Sequence, residues 1–157
     1  YMADKITGFL LEKGLIRRHL IKLKKKRRSE VFYELTEDCL GLLNLTPNNQ
    51  GKGGFKHRLF QRIIKEYFER KGQKVTIEAY KNGRLVDVLA GDLPIEVETG
   101  ESDHVGNAVN DIKMFGKVVV VTGIDEIEKI KEDILRGVSE DLYNKITFHT
   151  IDFYLID

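Results

Sequence analysis

Two glycine-bearing turns, Asn82-Gly83 and Gly91-Asp92, divide residues 74–99 into three short runs, and this restricts the fold more than any other feature. Asn-Gly is the dipeptide best suited to a two-residue hairpin turn, because both central positions take positive φ. Residues 74–80, 85–90 and 93–99 are therefore predicted as a three-stranded meander. If Gly91-Asp92 is a two-residue loop, Ala90 faces Leu93. Counting outward then sets Val88 against Ile95, Asp87 against Glu96 and Val86 against Val97. The valines and isoleucine share one face. Side chains alternate along a strand, so Asp87, Glu96 and Glu98 share the other.

The flanking segments read as helices and further strands. Phe55, Leu59, Phe60, Ile63, Ile64, Tyr67 and Phe68 recur at helical spacing over residues 55–71, and Gly72 follows as the stop. Ser102 is placed to cap a helix running to about Phe115, with Val105, Val109 and Ile112 toward the core. Residues 117–122 are almost all valine, the composition of a strand buried on both faces. An amphipathic helix over 125–136 and late strands over 146–151 and 153–156 complete the order αβββαβαβ.

Upstream, Ile6, Phe9 and Leu10 have helical spacing and end at Gly14. Alternating residues on either side of the tip KLKKKRRSE predict a hairpin, and Thr36 opens a second helix with Glu37 and Asp38 in its acidic first turn. Helix, basic hairpin and helix form the second half of a winged helix, so residues 1–46 are read as a partial winged-helix-like segment. The missing first half, and a Tyr standing before the Met, lead us to expect a piece of something longer. Residues 47–54, rich in Pro, Asn and Gly, read as a linker, and residues 55–157 as a second domain.

Charge follows this division. Residues 1–50 hold ten Lys/Arg against six Asp/Glu, and residues 51–157 hold sixteen against nineteen. The basic excess is local, as expected of a segment that meets a polyanion. A hydrophobic content of 41% and a charged content of 32% are those of a globular protein. The apolar run 118–121 is far too short for a bilayer, and no signal peptide is recognisable, so the cytoplasm is the expected compartment and no membrane partner is expected. Cys39 is the only cysteine, which excludes an internal disulfide and a multi-cysteine zinc site.

Carboxylates facing each other across two strands repel, and a divalent cation compensates them. Magnesium or manganese takes hard oxygen ligands, keeps several waters and binds substrate phosphate, which suits phosphodiester hydrolysis. The competing reading is an exposed strand face whose acids pair with Lys or Arg. On the following helix His104, Asn107, Asn110 and Lys113 form a polar stripe, and Lys113 is the candidate to orient or activate the water. Glycines before a helix expose amides, and His57 and Arg58 add charge where a phosphate could sit.

With Asp87 on the second strand and Glu96 on the third of an α/β chain of order αβββαβ, residues 55–122 resemble the restriction-endonuclease-like superfamily, the PD-(D/E)XK nucleases. That resemblance implies a mixed sheet and a metal site at Asp87 and Glu96. It also implies a supplementary Glu from the first core helix, Glu66 or Glu69, with Glu66 preferred. Glu98 stands where the family pattern has lysine, and Lys113 is the candidate migrated lysine. The segment GGFKHR resembles an opening seen in some archaeal and mobile-element members. The expected function is a Mg²⁺- or Mn²⁺-dependent deoxyribonuclease acting as a homodimer, with Lys24, Lys25, Lys26, Arg27 and Arg28 contacting DNA phosphates. The alternative is a nuclease fold without catalysis that docks DNA, an ATPase or a replication or repair protein.

Overall fold

The computed structural model describes residues 2–46, 53–100 and 102–155. The chain forms two compact units, one made of residues 1–22 and 27–49, the other of residues 23–26 and 50–157. Most of the expected linker, residues 47–52, lies outside the described residues.

In the first unit, helix α1 (Met2–Glu12) ends before Gly14, whose φ of +66° is cheap only for glycine. Strands β1 (Ile16–Ile21) and β2 (Glu30–Leu35) pair antiparallel, with His19 opposite Phe32 and its ring nitrogen 3.0 Å from Glu34. Helix α2 (Glu37–Leu42) starts as its sequence demands: the Thr36 hydroxyl accepts from the Cys39 amide and donates to the carbonyl of Gly14, 2.9 Å away. On the loop joining the strands, Lys25, Lys26, Arg27 and Arg28 are exposed and Lys24 is half-buried.

The second unit is an α/β structure around a five-stranded mixed sheet ordered β3-β4-β5-β6-β7. Helix α3 (Phe55–Arg70) precedes the meander β3 (Val75–Lys81), β4 (Arg84–Ala90) and β5 (Leu93–Glu98). Asn82 and Gly83 both take positive φ, 48° and 79°, as the predicted hairpin turn requires. Helix α4 (His104–Phe115) then returns the chain to β6 (Val118–Thr122), parallel to β5, and helix α5 (Ile127–Gly137) leads to β7 (Ile146–Thr150), parallel to β6. All five residues of β6 are buried, as expected of a central strand under helices. Ala108 and Ile112 of α4 and Ile130 and Ile134 of α5 pack with Val118, Val120 and Ile146 to form the core of that layer.

Three expectations need correction. Residues 151–154 form a short 3-10 helix and not a strand, because Ile151 and Tyr154, three apart, both turn inward, with Tyr154 edge-on to Tyr67 at 5.2 Å. Ile156 lies outside the described residues. Helix α4 is capped by Asp103, which accepts from the Gly106 amide at 2.9 Å, and not by Ser102. The β4–β5 ladder follows the predicted register through Ala90↔Leu93, Leu89↔Pro94 and Val88↔Ile95, but Asp87 and Glu96 do not pair in it. β6 pairs along the other edge of β5, from Ile95 to Glu98, while past Ile95 the edge toward β4 is met by a side chain: an Asp87 carboxylate oxygen accepts from the Val97 amide at 2.9 Å.

Candidate active site

The parting of β4 and β5 makes room for side chains. Glu96 is in register with Val120 and Glu98 with Thr122, so both acids project toward the side of the sheet covered by α4. They are 4% and 2% exposed. Burial at this level is expensive for carboxylates unless each charge is paired, protonated or bound to a cation.

Each carboxylate solves the problem differently. Asp87 divides its oxygens between the Val97 amide and His57, whose Nε2 stands 3.3 Å away. The buried Gln61, one helical turn after His57, donates to the Asp87 carbonyl at 3.3 Å. Glu98 is held at its Oε2 by the Ser102 hydroxyl and by His104 Nδ1 at 2.6 Å, and its Oε1 accepts from Asn107 at 3.1 Å. Glu96 has a buried oxygen without a hydrogen-bond partner. Burial, followed by the charges of Asp87, Asp111 and Glu98, pushes its carboxyl up to about 10.

Asp111, on α4, is fully buried, and neither of its oxygens has a hydrogen-bond partner. The nearest cation is Arg84, with Nε 3.4 Å from Oδ1 and Nη2 3.1 Å from the Asn107 carboxamide oxygen. Burial raises the Asp111 carboxyl despite the opposing pull of Glu96 and Arg84. Burial thus pushes both carboxyls, Glu96 and Asp111, toward their protonated forms. His57 is shifted upward as well. Burial alone would depress it, but the hydrogen bond and charge of Asp87, joined by Glu98 and Glu78, outweigh burial. Glu78 takes a φ of +51° inside β3, an unfavourable conformation for a residue with a Cβ, at the position the ladder skips between Ile77↔Val88 and Ala79↔Val86.

Of the residues singled out from the sequence, Asp87, Glu96, Glu98 and His57 come together, while Lys113 and Glu66 do not. Lys113 lies about 180° around α4 from His104 and is exposed. Glu66 stands about 180° around α3 from His57 and is also exposed, and Glu69 is exposed and 3.7 Å from Lys65. Arg58 turns back to the Gly53 carbonyl at 2.6 Å. Gly53 itself has φ +88°, and a Cβ there would meet the His57 ring at 3.0 Å, so this glycine lets the histidine close over Asp87.

Asp111, Arg84, Gln61 and Glu78 were not anticipated. The signal for Asp111 was present: it stands seven residues after His104 and four after Asn107, on one helical face, whereas steps of three drift off that face to Lys113. Among the described residues no three His, Cys, Asp or Glu side chains are drawn together closely enough to enclose a metal ion. The donor chemistry nevertheless suits a hard cation: carboxylate oxygens only, three of them buried and without hydrogen-bond partners. Comparison with models of protein families, with curated proteins and with solved structures gives no match to this chain.

Proposed function

We propose that the second unit is a Mg²⁺- or Mn²⁺-dependent nuclease of the restriction-endonuclease-like kind that hydrolyses DNA phosphodiester bonds. The basic loop between β1 and β2, as the wing of a partial winged helix, would present Lys24, Lys25, Lys26, Arg27 and Arg28 to DNA phosphates. The observation that carries this reading is the meeting of Asp87 with the buried Glu96 and Asp111, whose three unpartnered oxygens are costly unless a proton or a cation joins them.

In this reading Asp87, Glu96 and Asp111 would hold the cation through their carboxylate oxygens. The bound ion supplies charge neutralisation on the phosphate and a lowered pKa for a nearby water. His57, whose pKa Asp87 raises, would in its protonated form stabilise the charge that builds on the phosphate oxygens during in-line attack. Glu98 positions the start of α4 through Ser102, His104 and Asn107, and does not take the place of the absent lysine. Plasmid and linear DNA should be cut with Mg²⁺ or Mn²⁺ and spared in chelator, and Asp87→Ala and Glu96→Ala should abolish cutting. Undiminished cutting by either variant would rule out this site.

One observation favours the alternative, a nuclease fold without catalysis that docks DNA or a protein partner such as an ATPase: among the described residues the hydrogen-bond and ion-pair partners of Asp87, Glu98 and Asp111 include His57, His104 and Arg84 but no lysine, and Lys113 faces away. DNA binding without cleavage in any divalent ion would establish it.

A further inference from the structure

Helix α4 carries Lys113 away from the carboxylates and into a cavity of about 460 Å³, lined by Asn82, Gly83, Arg84, Asn110, Lys113 and Met114. The cavity is wide open to solvent, so it suits a segment of strand lying across it and does not enclose a ligand. Its chemistry is one-sided: two cations and two carboxamides line it, and no carboxylate does among the described residues. Ammonium and guanidinium groups beside carboxamide donors form a receptor for an oxyanion, with Arg84 contributing a planar fork and Lys113 a point charge. The left-handed Asn82-Gly83 turn sets one wall, and the side of α4 turned away from His104 sets the other.

Arg84 belongs to both places. Its guanidinium faces Asp111 on one side at 3.4 Å and lines the cavity on the other. A polyanionic strand whose one linkage lies at the carboxylates meets, besides His57, the positive charge of Arg84, which this cavity shares with Lys113. A metal-dependent nuclease must hold the phosphates beside the one it cleaves, because orientation of the reacting linkage supplies much of the rate.

We propose that the cavity is a phosphate subsite, taking the backbone phosphate and attached nucleoside adjacent to the linkage at Asp87, Glu96 and Asp111. The subsite rests on the nuclease reading above, and it gives Lys113 a binding role in place of a catalytic one. Arg84 couples the two: drawing its guanidinium toward a bound phosphate frees Asp111 for a cation.

The test is fluorescence anisotropy of the full chain with a short labelled DNA duplex, in Ca²⁺ in place of Mg²⁺, across a range of salt. Lys113→Glu should weaken binding about tenfold and reduce the magnitude of the salt slope by about one, with Lys113→Arg close to wild type. Its melting curve should match wild type, since Lys113 is exposed. Lys129→Glu, an equal charge change at an exposed site on α5, should have little effect. An unchanged curve for Lys113→Glu overturns the subsite, as does an equal loss from Lys129→Glu or the absence of duplex binding by wild type. The two readings fail separately: undiminished cutting by Asp87→Ala removes the catalytic site, whereas the cavity is decided by these binding curves.

Discussion

Replacing Glu96 by Gln should stabilise the cation-free protein, against the usual expectation for a buried polar substitution. Glu96 is 4% exposed, and burial with the neighbouring charges of Asp87, Asp111 and Glu98 lifts its carboxyl from an ordinary 4.5 to about 10. Between those values the folded state binds a proton that the unfolded chain has released, so stability falls as pH rises through this window. At about pH 8 the full linkage is 3.5 units of about 1.36 kcal/mol each, or about 5 kcal/mol. Relaxation and water entry around a buried carboxyl lower this, and we take roughly half, about 2 kcal/mol. For a unit of this size that is about 8 °C in Tm. Gln has the same shape, carries no charge in either state and can donate to Asp111. Thermal melts by circular dichroism in chelator should therefore show Glu96→Gln melting about 8 °C above wild type near pH 8, with the gap closing toward pH 4.5. Adding Mn²⁺ near pH 8 should raise the wild-type Tm and leave the variant in place, because the cation must displace that proton. A pH-independent difference, or a less stable variant near pH 8, would refute the reasoning.

Two further perturbations probe the groups around this carboxyl and the basic loop. Arg84→Ala strands the fully buried Asp111 without its cation and should cost about 3 kcal/mol in urea unfolding. The double variant Arg84→Ala/Asp111→Asn should recover most of it, and simple additivity of the two losses would count against the pair. Replacing Lys24, Lys25, Lys26, Arg27 and Arg28 by Gln should lower DNA affinity and flatten the salt slope by up to about four; an unaltered slope would remove the loop from the interface.

Local rules made the meander legible. Asn82-Gly83 and Gly91-Asp92 fixed where the chain turned, and the alternation in residues 86–98 fixed which side chains shared a face. The limit of that legibility is visible at Asp87. Hairpin counting extends a register for as long as both strands stay paired, but past Ile95 the β4–β5 ladder stops and the Asp87 side chain takes the Val97 amide, while β6 pairs along the other edge of β5. Nothing within ten residues of sequence announces a parallel partner that arrives after a whole helix. The same distance hid Asp111 and Arg84, one on α4 and one at the start of β4, which meet only through the tertiary fold. Residues 151–154 misled for another reason: apolar residues three apart suit a 3-10 turn over α3 as well as they suit a short strand.

The proposed nuclease reading expects a lysine where Glu98 stands, and the contacts of Glu98 give this glutamate a structural role of its own. Glu98 receives three donors, from Ser102, His104 and Asn107, all at the beginning of α4. A lysine at this position could accept none of them, and the Asn107 carboxamide would lose the anchor that also orients it toward Arg84. Asn107 and Asp111 are one turn apart, so fixing the first turn of α4 against β5 sets the height at which Asp111 enters the cluster. The glutamate therefore exchanges a cation in the cluster for a rigid helix that delivers a further carboxylate to it. Positive charge is then supplied from outside the strand, by His57 over Asp87 and by Arg84 behind Asp111. A site organised in this way depends on the registration of α4, and Asn107 is the residue whose loss would disturb Glu98, Arg84 and Asp111 together.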